Sequence, residues 1–140
     1  MGLPEGLIVY IVEDDASARK GLTRLMRSAR LEPIAFEDAE SFLNAVRTDV
    51  RQKYPACVLV DITMPRVSGL QLQARLKEEG VDLPVIAVSA RDDDDTRRLA
   101  RDLGARFFLR KPVDDQALLD AIHWVMDPGH TAQVETNKAS

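Results

Sequence analysis

The stretch Cys57 to Pro65, CVLVDITMP, ends a run of β-formers on a carboxylate, Asp61. A charge at the end of a buried apolar run is costly unless something compensates it. Other reactive side chains follow similar runs. Residues 7–12, LIVYIV, lead into Glu13, Asp14 and Asp15; residues 83–88, LPVIAV, lead into Ser89; and a run closing at Leu109 leads into Arg110 and Lys111. Brought together, these would join acids, a hydroxyl and a base. Converging carboxylates repel and raise one another's pKa. A hard divalent cation removes that conflict. Oxygen-only ligands in a partly open shell suit Mg²⁺, which keeps several waters and commonly joins carboxylates to a phosphoryl group. Lys111 then offers a point charge to one phosphoryl oxygen, and Ser89 a donor to another. Phosphoryl transfer is mainly positioning and charge neutralisation. A carboxylate can be its nucleophile, and Asp61 is the candidate.

The elements that must position these residues alternate along the chain. Strand patterns cover Leu7 to Val12, Glu32 to Phe36, Cys57 to Val60, Leu83 to Val88 and Arg106 to Leu109. Continuous apolar runs of this kind suit strands buried on both faces. Helical spacing covers Ser17 to Ala29, Asp38 to Val46, Ser68 to Glu79, Asp92 to Leu103 and Val113 to Met126. Asp38 is a plausible N-cap, with Ser41 a weaker one. Gly80 and Gly104 are stops. Such alternation implies an α/β fold, a parallel sheet with helices on both faces. Right-handed crossovers leave few arrangements, and the doubly wound order 2-1-3-4-5 of flavodoxin-like (βα)5 folds is the common five-strand solution. It puts the second strand at an edge, where Pro33 is tolerated. It also makes the first and third strands neighbours, so Asp14 and Asp61 should meet. Ligands bind outside the C-terminal strand ends of such sheets.

With 140 residues, one domain over 1–127 is expected, and 128–140, PGHTAQVETNKAS, reads as a flexible C-terminal tail or the start of a linker. A hydrophobic fraction of 45% with 30% charged residues suits an ordinary globular protein, and a net charge of −4 gives nothing that attracts nucleic acid. One cysteine excludes an internal disulfide. No run is long enough to span a bilayer, and the N-terminus has no secretion signal, so cytoplasmic is the expected location.

In order, "VEDD" after the first strand, "VDITMPRVSG" after the third, "VSA" after the fourth and "RKP" after the fifth form a specific set. The chain resembles a receiver domain of a two-component response regulator, in the CheY-like superfamily and most like FixJ-type receivers, over roughly residues 6 to 127. The resemblance implies that Asp61 is the phosphoacceptor, charged from a phosphohistidine on a sensor histidine kinase or histidine phosphotransfer protein. It implies that Glu13 and Asp14 hold Mg²⁺, or Mn²⁺ in its place, with the carbonyl of Thr63 as a further ligand. Ser89 and Phe108 become the switch residues that turn inward on activation, and Lys111 the lysine, before a cis peptide to Pro112. Thr63 and Arg91 become the residues that tune aspartyl-phosphate lifetime, expected in minutes or longer. The kinase would dock on the first helix and the loop after Lys111, where exposed residues include Arg19 and Lys20, and the face of the fourth helix, fifth strand and fifth helix would form a homodimer on phosphorylation. The domain would catalyse only its own phosphoryl transfer and autodephosphorylation. One departure is Glu13, where the family more often has Asp; the extra methylene leaves direct or water-mediated contact with the metal open.

Each residue also has a plainer reading. Asp61 alone is as readily a turn acid, Glu13 to Asp15 a helix cap, and Lys111 a surface lysine. Of Phe107 and Phe108, strand alternation points one inward and one outward, and Phe107 is taken as core. RDDDDT, residues 91–96, lacks the glycine and terminal Glu of a calcium loop and reads as the acid-rich start of a helix. Among other functions, a haloacid-dehalogenase-type phosphatase needs an acid where Thr63 stands. A flavin carrier needs a phosphate loop where EDDASA would repel one. A degenerate receiver, acting only as a protein-interaction module, is opposed by the full acidic site and Lys111.

Overall fold

The computed structural model describes residues 3, 6–48, 55–62, 69–91, 93–127 and 135–136. In chain order the elements are β1 (Ile8–Val12), α1 (Ala16–Ser28), β2 (Glu32–Phe36), α2 (Ala39–Thr48), β3 (Ala56–Asp61), α3 (Gly69–Glu78), β4 (Val85–Ser89), α4 (Asp94–Asp102), β5 (Ala105–Arg110), α5 (Asp115–Met126) and β6 (Glu135–Thr136). The strands form one parallel sheet in the order β2-β1-β3-β4-β5-β6. The expected 2-1-3-4-5 order is therefore present, with Pro33 on the edge strand. The two-residue β6 adds to the far edge within the segment read as a tail; the rest of that segment lies outside the described residues.

Every residue of β1, β3 and β4 is buried, as their unbroken apolar runs require. Alternation divides them between two cores. Tyr10, Val12, Val58, Val60, Ala87 and Phe108 pack toward α2, α3 and α4. Val9, Ile11, Leu59, Val88, Phe107 and Leu109 pack toward α1 and α5. The adjacent phenylalanines are thus both core, which corrects the expectation that only one is. Helices cover both faces of this sheet, so the outward direction is as dry as the inward one. Phe107 meets Trp124 of α5 edge-on, with ring centroids 5.8 Å apart, while Phe108 is fully buried on the other side.

Helix ends follow local chemistry. Asp15, Asp93 and Asp114 cap α1, α4 and α5 by accepting from the backbone N–H three residues on, and Asp38 does the same before α2. Gly80 and Gly104 take positive φ after α3 and α4. α4 is tied to α3 by two side chains one turn apart. Gln73, almost fully buried, donates to the carbonyl of Ala100, and Lys77 to that of Asp102. Among the described residues no helix is long and apolar enough to cross a membrane.

Candidate functional site

Parallel pairing brings the C-terminal ends of the middle strands side by side. Val12 sits beside Val60, Asp61 beside Val88, and Ser89 beside Arg110. Glu13 therefore emerges next to Asp61, and Lys111 next to Ser89. The backbone N–H of Lys111 donates to the Ser89 carbonyl at 2.8 Å, which carries the β4–β5 ladder one residue past the strand. The Lys111–Pro112 peptide is cis.

Asp61 is the last residue of β3, one position further into the strand than the sequence pattern suggests. Its carboxylate is buried and takes a hydrogen bond from Lys111 Nζ at 2.8 Å. The same ammonium reaches Glu13 Oε1 at 3.2 Å. Glu13, Asp14 and Asp61 each place a carboxylate oxygen within 4.8 Å of the others. Glu13 and Asp61 are buried, and Asp14 is exposed. Glu13 thus reaches the cluster itself, despite its extra methylene. Three carboxylates and no nitrogen or sulfur form a donor set for a hard divalent cation such as Mg²⁺. The open side at Asp14 leaves room for the waters such an ion keeps.

The electrostatics match this crowding. Burial pushes the Glu13 carboxyl up to about 7. The Asp61 charge adds to the rise, while a hydrogen bond from the Asp15 N–H and the Lys111 charge oppose it. Partial burial works against the Lys111 ammonium, but its bonds to Asp61 and Glu13 outweigh that and hold its pKa above the usual lysine value.

Ser89 is fully buried, and its Oγ accepts from the Arg91 N–H at 2.9 Å. That bond uses the oxygen as acceptor and leaves its O–H to donate. The Arg91 side chain is three-quarters exposed and lies 3.7 Å from Asp93. Thr63, expected as a metal ligand and a lifetime residue, lies outside the described residues, as do Asp92 and most of the loop before α3.

Two further residues shape the site. Arg19, expected on the exposed surface of α1, is half-buried and turns back to the β1–α1 loop, donating to the carbonyls of Glu13 and Asp14. Gly69, at the start of α3, lies against the end of β3. A Cβ there would sit 2.5 Å from Ile62 Cα and 2.8 Å from the Asp61 carbonyl oxygen. An arginine's reach carries no periodic signal, and a glycine opening a helix reads as an ordinary helix start, so spacing alone marks neither.

A family model described as the response regulator receiver domain matches residues 9–123. The chain belongs to that family. Receiver domains are signalling modules of two-component systems, and the five-strand core described above is their fold. Over 115 residues this receiver is 44% identical to the transcriptional regulatory protein TdiR of Thauera aromatica, matching 82% of this chain and 49% of that protein. It is 35% identical over 121 residues to the transcriptional regulatory protein FixJ of Azorhizobium caulinodans, matching 86% of this chain and 55% of that protein. The solved structure of FixJ-N superposes with a TM-score of 0.80 at 26% identity, covering 91% of this receiver and 99% of that chain. The receiver spans about half the length of the curated relatives it matches.

Proposed function

We propose that this receiver accepts a phosphoryl group on Asp61 from the phosphohistidine of a sensor histidine kinase or histidine phosphotransfer protein. The observation that carries the reading is the convergence of the Glu13, Asp14 and Asp61 carboxylates within 4.8 Å of one another, with Lys111 Nζ 2.8 Å from Asp61 and 3.2 Å from Glu13. An Asp61 oxygen attacks phosphorus, the bond from phosphorus to the donor imidazole nitrogen breaks, and the imidazole leaves. Lys111 meets the charge on one phosphoryl oxygen. The Ser89 hydroxyl donates to another, and the phosphoryl group would hold Phe108, the other switch residue, in the inward position that it already occupies at full burial. Glu13, Asp14, Asp61 and the carbonyl of Thr63 would hold Mg²⁺, or Mn²⁺ in its place, which supplies neutralisation of the charge gathering between carboxylates and phosphoryl oxygens. Hydrolysis of the aspartyl-phosphate resets the domain, with Thr63 and Arg91 setting how fast.

The output is a shift of the face formed by α4, β5 and α5, read by a second copy of the chain. The switch occupies residues 1–127, and 128–140 serve as a tail or the start of a linker, of which Glu135–Thr136 pair with β5. Its phosphodonor is charged from ATP, which places the chain in the cytoplasm. The names of TdiR and FixJ favour control of transcription as its setting, with DNA bound by a part other than this receiver.

The test is intact mass after incubation with acetyl phosphate and Mg²⁺. One added phosphoryl group is expected, absent in Asp61→Asn and absent when chelator precedes the donor. A folded wild-type protein that gains nothing at any metal concentration would overturn the reading and leave a receiver that acts only by binding other proteins.

A further inference from the structure

Arg19 contacts the acidic loop without touching its carboxylates. One nitrogen, Nη1, donates to the carbonyl of Glu13 at 2.9 Å and to that of Asp14 at 3.0 Å. In an extended strand, successive carbonyls point to opposite sides. Two consecutive carbonyls gathered on one donor therefore fix a bend, at the point where the chain leaves β1. The loop has other ties, one of them to the neighbouring strand β2. The Glu13 N–H donates to the Phe36 carbonyl at 3.1 Å, and the Asp15 N–H to Glu13 Oε2 at 3.1 Å.

We propose that Arg19 is a positioning residue for divalent-cation binding, holding the backbone of Glu13 and Asp14 so that their carboxylates converge on Asp61. The inference rests on the reading of that acidic cluster as a cation site. The choice of acceptor is what gives it force. An arginine bonded to the carboxylates would compete with a cation for them. Bonded to the carbonyls behind them, it orients both residues and leaves the carboxylate oxygens to the ion. Its positive charge also lies behind the loop, where it offsets part of the repulsion among the acids. Lys111 is the contrasting case, since it meets the carboxylates directly.

The experiment measures Mn²⁺ binding to the whole chain by electron paramagnetic resonance, beside thermal unfolding of each variant. Arg19→Ala should weaken Mn²⁺ binding about tenfold or more, the range typical of groups that orient metal ligands. Arg19→Lys should regain part of that loss, because a single nitrogen makes both bonds. Arg19→Met keeps the apolar stem and serves if the alanine variant unfolds. Arg24→Ala, which removes an exposed charge from the same helix, should bind as wild type does. Hydrogen exchange at the Asp14 and Asp15 amides should quicken in Arg19→Ala alone. A role in fold stability only would lower the unfolding midpoint and leave the affinity of the folded protein unchanged; that result overturns the proposal. So does equal weakening by Arg24→Ala, which would make the effect one of general charge. A wild-type chain that binds no Mn²⁺ removes the cation reading itself, and this inference with it.

Discussion

Glu13 is a carboxyl that its surroundings push toward neutrality, with burial raising its pKa to about 7. In the unfolded chain it titrates as an ordinary glutamate, at the reference value of 4.5. Between those two values the folded, metal-free protein holds a proton that the unfolded chain has released. Stability must therefore fall as pH rises through that window and level off above it. In chelator, urea midpoints should drop from pH of about 5 to about 7.5, and Glu13→Gln should flatten the slope. A wild-type profile that is already flat would show that Glu13 is charged throughout. Divalent cation has the opposite preference, because it binds the deprotonated carboxylate. The positions of Glu13, Asp14, Asp61, Ser89 and Lys111 were legible in the sequence because each stands at the end of an apolar run. The direction of Arg19 was not, since a long flexible side chain follows local hydrogen-bond opportunity rather than any period.

At the scale of elements, β3 and α3 meet where Asp61 is presented. Gly69 opens α3 with its Cα facing the backbone of Asp61 and Ile62, and a Cβ would also approach Val60 Cγ1 to 2.7 Å. The obstacles are mostly backbone, which cannot rotate aside. Gly69→Ala should destabilise the domain by about 1–3 kcal/mol, the usual cost of overpacking. It should also slow phosphorylation of Asp61, because relief requires α3 or the strand end to move. Urea unfolding and the acetyl phosphate time course check both effects; a variant as stable and as fast as wild type would mean the contact is slack. Strand and helix identity were readable because buried parallel strands give unbroken runs, and because Asp caps and Gly stops mark helix ends. Burial of Gln73 was not readable. It stands beside the inward Leu72 as an ordinary polar helix residue, and only the approach of α4 makes it core. The two-residue β6 lacks the run of β-formers that marks a strand, so its pairing with β5 is a matter of tertiary proximity.

For the whole molecule, the face of α4, β5 and α5 carries exposed charges of both signs. Arg98 and Arg101 lie on α4, and Asp115 and Asp120 lie on α5, all exposed. Leu99, also on α4, is 47% exposed, the one large hydrophobic so exposed among the described residues. Among the described residues, Arg98 and Arg101 make only surface pairs, with Asp95 and Asp102 at 3.5 Å each. Such pairs contribute about 0–1 kcal/mol and rearrange readily. A two-fold contact would let the bases of one copy meet the acids of the other twice over. We therefore expect the phosphorylated chain to dimerise through this face. Salt acts on that dimer in two opposed ways. It screens repulsion between two molecules of net charge −4, and it screens the local base–acid pairs. The Debye length decides between them. At about 0.1 M salt it is already about 10 Å, so repulsion between the bodies of two domains is mostly gone, whereas pairs in contact persist. Further salt should therefore weaken the dimer. Sedimentation of the acetyl phosphate-treated protein should show a dimer fraction that falls between about 0.1 and about 0.5 M salt. Arg101→Glu should abolish it while Asp61 still takes up phosphate. A dimer indifferent to that charge reversal would place the contact elsewhere, and a phosphorylated chain that stays monomeric would leave this face to a different partner.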